Sequence, residues 1–362
     1  MNYENAGTLN AESILENITR TLLYEGYALY PYHRSAIKNQ KPIPFGVVFP
    51  QRYNIYNAHA HSKMQTQCIV TGSDDLTINI SMRFLHLKKT ELFEKVPAHE
   101  AVEDNFIPVY NLNISDKFYQ AGWQTAERKI NTGDLQISQL IKNKKVIPVE
   151  FDEMYDSKYF YDKSGKAAKQ INSISGIKGS VIIEAAPAGN MQNTFRLTVT
   201  VINTTPVENA EQVTRDEVLS QSFLSTHTVL QTRNAVFISH QNPGEKWEET
   251  ISGCENINTW PILIDESNTT LLSSPIILYD YPRINPQSLG DLFDSTEIEE
   301  ALLLHVAVLS DEEKQQIARG DEKLQAMLTR VSQVTPKEMI NFHSGLKNST
   351  QDQINMQKKS EL

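Results

Sequence analysis

Leu76-Thr77-Ile78-Asn79-Ile80-Ser81-Met82-Arg83-Phe84 alternates apolar and polar side chains without a break. Successive side chains of a strand point to opposite faces, so this stretch predicts a β-strand with one face buried. Phe195, Leu197, Val199 and Val201 alternate with Arg196, Thr198 and Thr200 in the same way. Ile177, Val181 and Ile183 mark one face of a strand before it. The link Ala-Pro-Ala-Gly-Asn at 186–190 supplies turn residues, so 177–203 is expected to form an antiparallel hairpin. Weaker strands are expected at 45–49, 66–70, 125–132, 135–141 and 146–151. Many strands with few helices between them predict a mainly β, α+β chain: an antiparallel β-sandwich-like body, not a doubly wound sheet.

Around this body the punctuation changes. Ile14, Leu15, Ile18 and Leu22 fall at helical spacing behind Asn10, predicting a helix over 11–23. Thr214 with Glu217 forms a capping box for a helix at 214–223. Short strands are expected at 235–239, 260–264 and 276–278, and Pro282, Pro286 and Gly290 mark a linker. Beyond it Thr296/Glu299 and Ser310/Glu313 start two helices, and Gly320 ends the second. Leu324, Met327, Leu328 and Val331 give one further apolar stripe, and Thr335-Pro336 opens a last short helix. The expected organisation is an N-terminal helix (1–24), a main β domain (25–205), a smaller β-containing segment (206–285), an acidic helical appendage (286–345) and a disordered polar tail (346–362).

Composition excludes several function classes. The chain has 362 residues, 40% hydrophobic and 22% charged, as a folded protein of two or three domains would. Two cysteines, Cys68 and Cys254, exclude a disulfide scaffold or a multi-cysteine metal site. A net charge of −10 argues against a nucleic-acid partner. No apolar run reaches the ~18 residues of a membrane helix, and the first twenty residues lack a basic start and an apolar stretch. Neither membrane insertion nor secretion is therefore expected, and a cytoplasmic location is. The acidity is concentrated. Between Asp291 and Gln325 ten acids face three bases, a net of −7 that could dock on a basic surface or form a solvated helix face.

Candidate chemistry is thin. His59-Ala60-His61 with Cys68 nearby offers imidazole and thiolate ligands for zinc or nickel, but a loop histidine pair is more often solvated. Ser225-Thr226-His227 sets a hydroxyl beside an imidazole, yet neighbours on a strand point apart and no G-x-S-x-G elbow exists. Asp74-Asp75 and Glu248-Glu249 sit in turn-like contexts where solvated acids are the rule. Both glycine-rich phosphate loops, G-x-x-x-x-G-K-[ST] and G-x-G-x-x-G, are absent, and no cofactor is implied. The tyrosine run Tyr24, Tyr27, Tyr30 and Tyr32 can pack at a sheet edge or form a binding face.

Several stretches taken together resemble a known family. They are Leu22-Leu23-Tyr24-Glu25-Gly26-Tyr27 with Tyr30-Pro31-Tyr32; Met64-Gln65-Thr66-Gln67-Cys68; Arg83-Phe84-Leu85; Ser225-Thr226-His227; Ser273-Ser274-Pro275 through Asp280; and Gly290-Asp291-Leu292-Phe293-Asp294-Ser295-Thr296-Glu297-Ile298. The set is similar to a family of uncharacterised bacterial proteins encoded in operons for nickel–iron hydrogenases, over about residues 20–345. Gln67 departs from it, since the family pattern has Glu before the cysteine. The resemblance implies an accessory or scaffold protein, not an enzyme, that binds a hydrogenase subunit or a maturation factor. Its expected contact residues are Tyr24, Glu25, Tyr30 and Tyr32, and Asp291, Phe293, Asp294 and Glu297. The alternatives are a metal-dependent or hydrolytic enzyme built on His59, His61, Cys68 or His227, and a structural component of a larger assembly.

Overall fold

A computed structural model describes residues 15–20, 22–23, 45–73, 75–95, 106–114, 117–161, 167–189 and 191–282. They are mostly antiparallel β. The helices are α1 (residues 15–20 and 22–23), α2 (Gln51–Tyr56), α3 (Ile137–Lys142), α4 (Arg215–Ser220) and α5 (Glu248–Ser252). The strands are β1 (Lys63–Gly72), β2 (Thr77–Lys95), β3 (Phe106–Val109), β4 (Asn111–Ile114), β5 (Lys117–Gln120), β6 (Gly122–Gln136), β7 (Lys145–Phe151), β8 (Met154–Tyr161), β9 (Ala167–Ile174), β10 (Ile177–Pro187), β11 (Thr194–Asn203), β12 (Leu224–Thr232), β13 (Ala235–Phe237), β14 (Trp260–Leu263) and β15 (Thr270–Ser274).

One sheet runs β13-β1-β11-β10-β7. The other runs β14-β15-β12-β2-β9-β8, with β6 and β3 also paired to β2. The alternating stretch that opens the sequence is the first half of β2, and this strand organises the second sheet. One side of β2 takes β12 and then β9; the other takes β6 and then β3. Ile78, Ile80, Met82 and Phe84 enter one hydrophobic cluster with Met64, Cys68, Leu197, Val199, Val201, Val181 and Ile183 of the first sheet. The opposite face of β2 is also buried, because Leu85 and Leu87 pack with Leu23 of α1 and with Leu219 and Leu224. The second half of β2 leads to a smaller cluster of Leu92, Leu112, Ile114 and Ala168, covered by the β4–β5 hairpin.

The expected hairpin at 177–203 is present as β10 and β11, with Val181 opposite Val201. The strand at 146–151 is β7, at the edge of its sheet, the position in a sheet where a proline such as Pro148 is tolerated. Three expectations are corrected. Residues 45–49 form no strand and only a single bridge, Val48 to Phe223. The stretch 135–141 ends β6 and then turns into helix α3, whose Ile137 and Leu140 are buried at helical spacing. The last short strand is β15 at Thr270–Ser274 in place of 276–278. Strands β12 to β15 join the two larger sheets, β4 and β5 forming a separate two-stranded one, so the β structure expected in 206–285 joins that of 25–205. The appendage and tail expected at 286–345 and 346–362 lie outside the described residues. Among the described residues, no helix is long and apolar enough to cross a membrane.

Candidate functional site

The expected contact residues Tyr24, Glu25, Tyr30, Tyr32, Asp291, Phe293, Asp294 and Glu297 all lie outside the described residues. The metal candidates are described and do not come together. His59 and His61 are exposed in the loop before β1, whereas Cys68 is sealed in the core of the first sheet. Burial pushes the Cys68 thiol far up, away from the thiolate a metal needs. Among the described residues no group of three or more His, Cys, Asp or Glu side chains is placed to hold a metal ion. Glu248 and Glu249 are exposed in the first turn of α5.

Among the described residues, Thr66, Ser273, Pro275 and Thr226 lie along one closed seam. The Thr66 hydroxyl of β1 is hydrogen-bonded to Ser273 of β15, which ties the two sheets together. Thr259 Oγ1 lies 2.5 Å from Ser273 Oγ and donates to the Ser274 carbonyl at 3.0 Å. Gly46 sits at φ +53 against Pro275 and the Thr226 carbonyl, where a side chain has no room. The Ser225 and Thr226 amides donate to the carbonyls of Phe45 and Gly46.

Ser225-Thr226-His227 is a β-bulge. Leu224 lies opposite Leu85 and His227 opposite Arg83, so three steps on β12 match two on β2. The extra residue puts Ser225 at φ 49 and returns His227 to the same face as Leu224. His227 Nδ1 donates to the Ser225 carbonyl at 3.0 Å. His227 Nε2 and Ser225 Oγ are both buried and both without a partner, so they do not bond each other. A nucleophile needs its base in contact and a path to substrate, and this pair has neither. Burial pushes His227 down to about 4; Arg83 adds to the fall, against the Ser225 carbonyl and Glu16. Arg83 itself is held by Glu16 of α1 in a bidentate pair at 2.8 and 2.5 Å.

Among the described residues, an open cleft lies where β12 gives way to β9 along β2. A cleft of about 450 Å³ is lined by Leu87, Lys89, Trp123, Ser173 and Ser175 from the sheet and by Thr214, Asp216, Glu217, Ser220 and Gln221 around α4. Cross-strand register builds its floor. Trp123 is opposite Lys89, Lys89 opposite Ser173, and Ser173 opposite Tyr155, so these four side chains share one face across β6, β2, β9 and β8. The next two rows on that face, moving along β2, carry Glu91, Ile171 and Ser157, then Phe93, Lys169 and Tyr159. Lys89 pairs with Glu91 at 2.7 Å, and Lys169 Nζ lies 5.4 Å from the centre of the Tyr159 ring.

The α4 wall is held by the capping box foreseen in the sequence. Glu217 Oε2 accepts from the Thr214 amide at 2.8 Å and from its hydroxyl at 2.7 Å, which holds the Glu217 carboxyl below its ordinary value. Ser220 donates to the Glu217 carbonyl at 2.6 Å and meets Ser175 at 3.0 Å, closing the inner end of the cleft. Behind these two serines, His86 is fully buried with both ring nitrogens outside hydrogen-bonding geometry. Burial and Arg128 push it down to about 4, opposed by the nearby carbonyls of Ser175 and Ser220.

The arrangement offers an indole, two ammonium groups, hydroxyls and exposed phenols on an open face, which is the chemistry of recognition. Sequence reading missed Lys89, Trp123, Ser173 and the tyrosines of β8. Its one available signal was the aromatic-rich run Met154–Tyr161, which carries no alternation. The chain matches no protein-family model, and no curated protein matches it.

Proposed function

We propose that this protein is a cytoplasmic accessory or scaffold protein without catalysis of its own, and that it binds a nickel–iron hydrogenase subunit or maturation factor. Sandwich-like packing of the two sheets would make the body a rigid platform for that contact. The acidic segment with Asp291, Phe293, Asp294 and Glu297, and the tyrosine-rich segment with Tyr24, Glu25, Tyr30 and Tyr32, would add contacts of their own.

One observation carries the reading: the shared sheet face of Lys89, Ser173 and Tyr155, which continues to Lys169 and Tyr159 and is partly exposed among the described residues. Aromatic rings interleaved with charges of both signs, Lys89 beside Glu91 and Lys169 beside Tyr159, suit a polar protein surface. The sealed state of His227, Ser225 and Cys68 supports recognition over turnover. The test is co-purification of the tagged full chain from a bacterium that makes the hydrogenase, at low salt. A hydrogenase subunit or maturation factor is expected to accompany the wild type and to be lost from the Lys89→Glu/Lys169→Glu variant, whose melting temperature should hold. Absence of such a protein from the wild-type preparation overturns the proposal.

A further inference from the structure

β8 is the last strand of its sheet, and among the described residues it pairs only with β9. Nearly every side chain on it is exposed, including Met154 (58%), Tyr155 (67%), Tyr159 (47%) and Tyr161 (73%). A strand edge with unpaired N–H and C=O groups is a template for another strand, and apolar side chains along it strengthen the template. The order of residues on β8 says which strand fits.

Reading outward from Ser157, the flanking residues are Asp156 and Lys158, then Tyr155 and Tyr159, then Met154 and Phe160. The segment is therefore complementary to its own reverse. We propose that β8 pairs antiparallel with β8 of a second copy of this chain, with Ser157 opposite Ser157 on the two-fold axis, joining two sheets into one.

The register follows from backbone geometry. Each copy turns the N–H and C=O of every second residue outward, and the outward residues have the same parity in both copies. An antiparallel pairing of identical edges must then set some residue opposite itself. Three centres lie in the middle of the strand: Asp156, Ser157 and Lys158. Centring on Asp156 sets two carboxylates face to face, and centring on Lys158 sets two ammonium groups face to face; like charges directly opposite are destabilising. Centring on Ser157 sets Asp156 opposite Lys158 of the second copy, twice by symmetry. It also sets Tyr155 opposite Tyr159 on one face and Met154 opposite Phe160 on the other, which are favourable aromatic and sulfur–aromatic pairs. A small residue stands at the axis, opposite its own copy. The charges that would otherwise guard an exposed edge thus select one partner and one register.

An eight-residue edge is smaller than the ~1,200–2,000 Å² interfaces of tight complexes, so the dimer is expected to dissociate in the micromolar range. Sedimentation velocity on the full chain tests it, with wild type read up to about 100 µM. Asp156→Lys alone, or Lys158→Asp alone, should raise the dissociation constant about tenfold or more, since each makes two like-charge oppositions. The double swap Asp156→Lys/Lys158→Asp should return it to near the wild-type value. Ser157→Cys should form a disulfide-linked dimer in air, whereas Tyr161→Cys should not, because it is set away from its own copy. A wild type that stays monomeric, a dimer indifferent to the single charge reversals, a double swap that fails to restore pairing, or a Ser157→Cys chain that does not cross-link would each overturn the proposal. None of these variants touches Lys89 or Lys169, so loss of self-pairing is distinguishable from loss of the proposed partner.

Discussion

Burial holds three histidine rings below the ordinary imidazole range. His86, His227 and His240 are all driven down to about 4, with burial as the largest cause in each. Arg128 adds to the fall at His86 and Arg83 at His227, while Asp280 opposes it at His240. In the unfolded chain the same rings titrate near ~6.5. The sign is then fixed. Above ~6.5 both states hold neutral rings and stability is full; as pH falls from ~6.5 toward 4 only the unfolded state takes up protons, so stability drains away. Each histidine contributes a slope of at most about 1.4 kcal/mol per pH unit in that window. Chemical denaturation midpoints should fall steeply between pH 7 and pH 5, and proton uptake on unfolding near pH 5 should approach three. His227→Gln should flatten the slope by about a third. A midpoint constant over that range would mean the rings are reached by water. None of this was legible beforehand, because a histidine's burial is decided by the strands around it. Cys68 is the same lesson: a ligand type by identity, a core residue by register with Leu197.

At the scale of elements, α4 makes the clearest local prediction. Its capping box was readable because Thr214 and Glu217 need only three residues of context, and the contacts are present. Thr214→Ala should cost about 1 kcal/mol of stability. It should also raise amide exchange at residues 217–221, because the α4 wall of the cleft hangs on that cap. Exchange unchanged in that stretch would show the wall is held by Leu219 packing alone. The strands divide by the same criterion of locality. β2, β10 and β11 announce themselves because the alternation survives in the letters, although both faces of β2 are buried over 81–87. Residues 135–141 mislead, since Leu135 and Ile137 fit period two while Ile137, Leu140 and Ile141 fit a helix turn. Only the closing of β6 at Gln136 decides between them. β8 was invisible for the opposite reason: every side chain on it but Phe160 is exposed, so Met-Tyr-Asp-Ser-Lys-Tyr-Phe-Tyr carries no period at all. The cleft was out of reach altogether. Trp123, Lys89, Ser173 and Tyr155 come from four strands and meet only through inter-strand register.

For the molecule as a whole, β2 connects two regions of unequal strength. Its first half feeds the large cluster shared by both sheets, in which Phe84 meets Phe223 at 4.8 Å and Phe151 at 6.0 Å between ring centres. Its second half feeds only the small cluster of Leu92, Leu112, Ile114 and Ala168. Phe84→Ala should remove about 3–5 kcal/mol from the global transition, as emptying a tight aromatic site does. Leu112→Ala should act differently. It belongs to a satellite cluster under a two-stranded hairpin, and such units open below the global free energy. Heat capacity scans of this variant should keep the main transition within a few degrees, while exchange rises in β3, β4, β5 and β9. The open sheet face proposed to bind a partner is carried on that weaker half, so a ligand there should slow exchange in the same strands. If Leu112→Ala instead lowers the whole transition as far as Phe84→Ala does, the two halves of β2 fold as one unit, and the binding face is as rigid as the core.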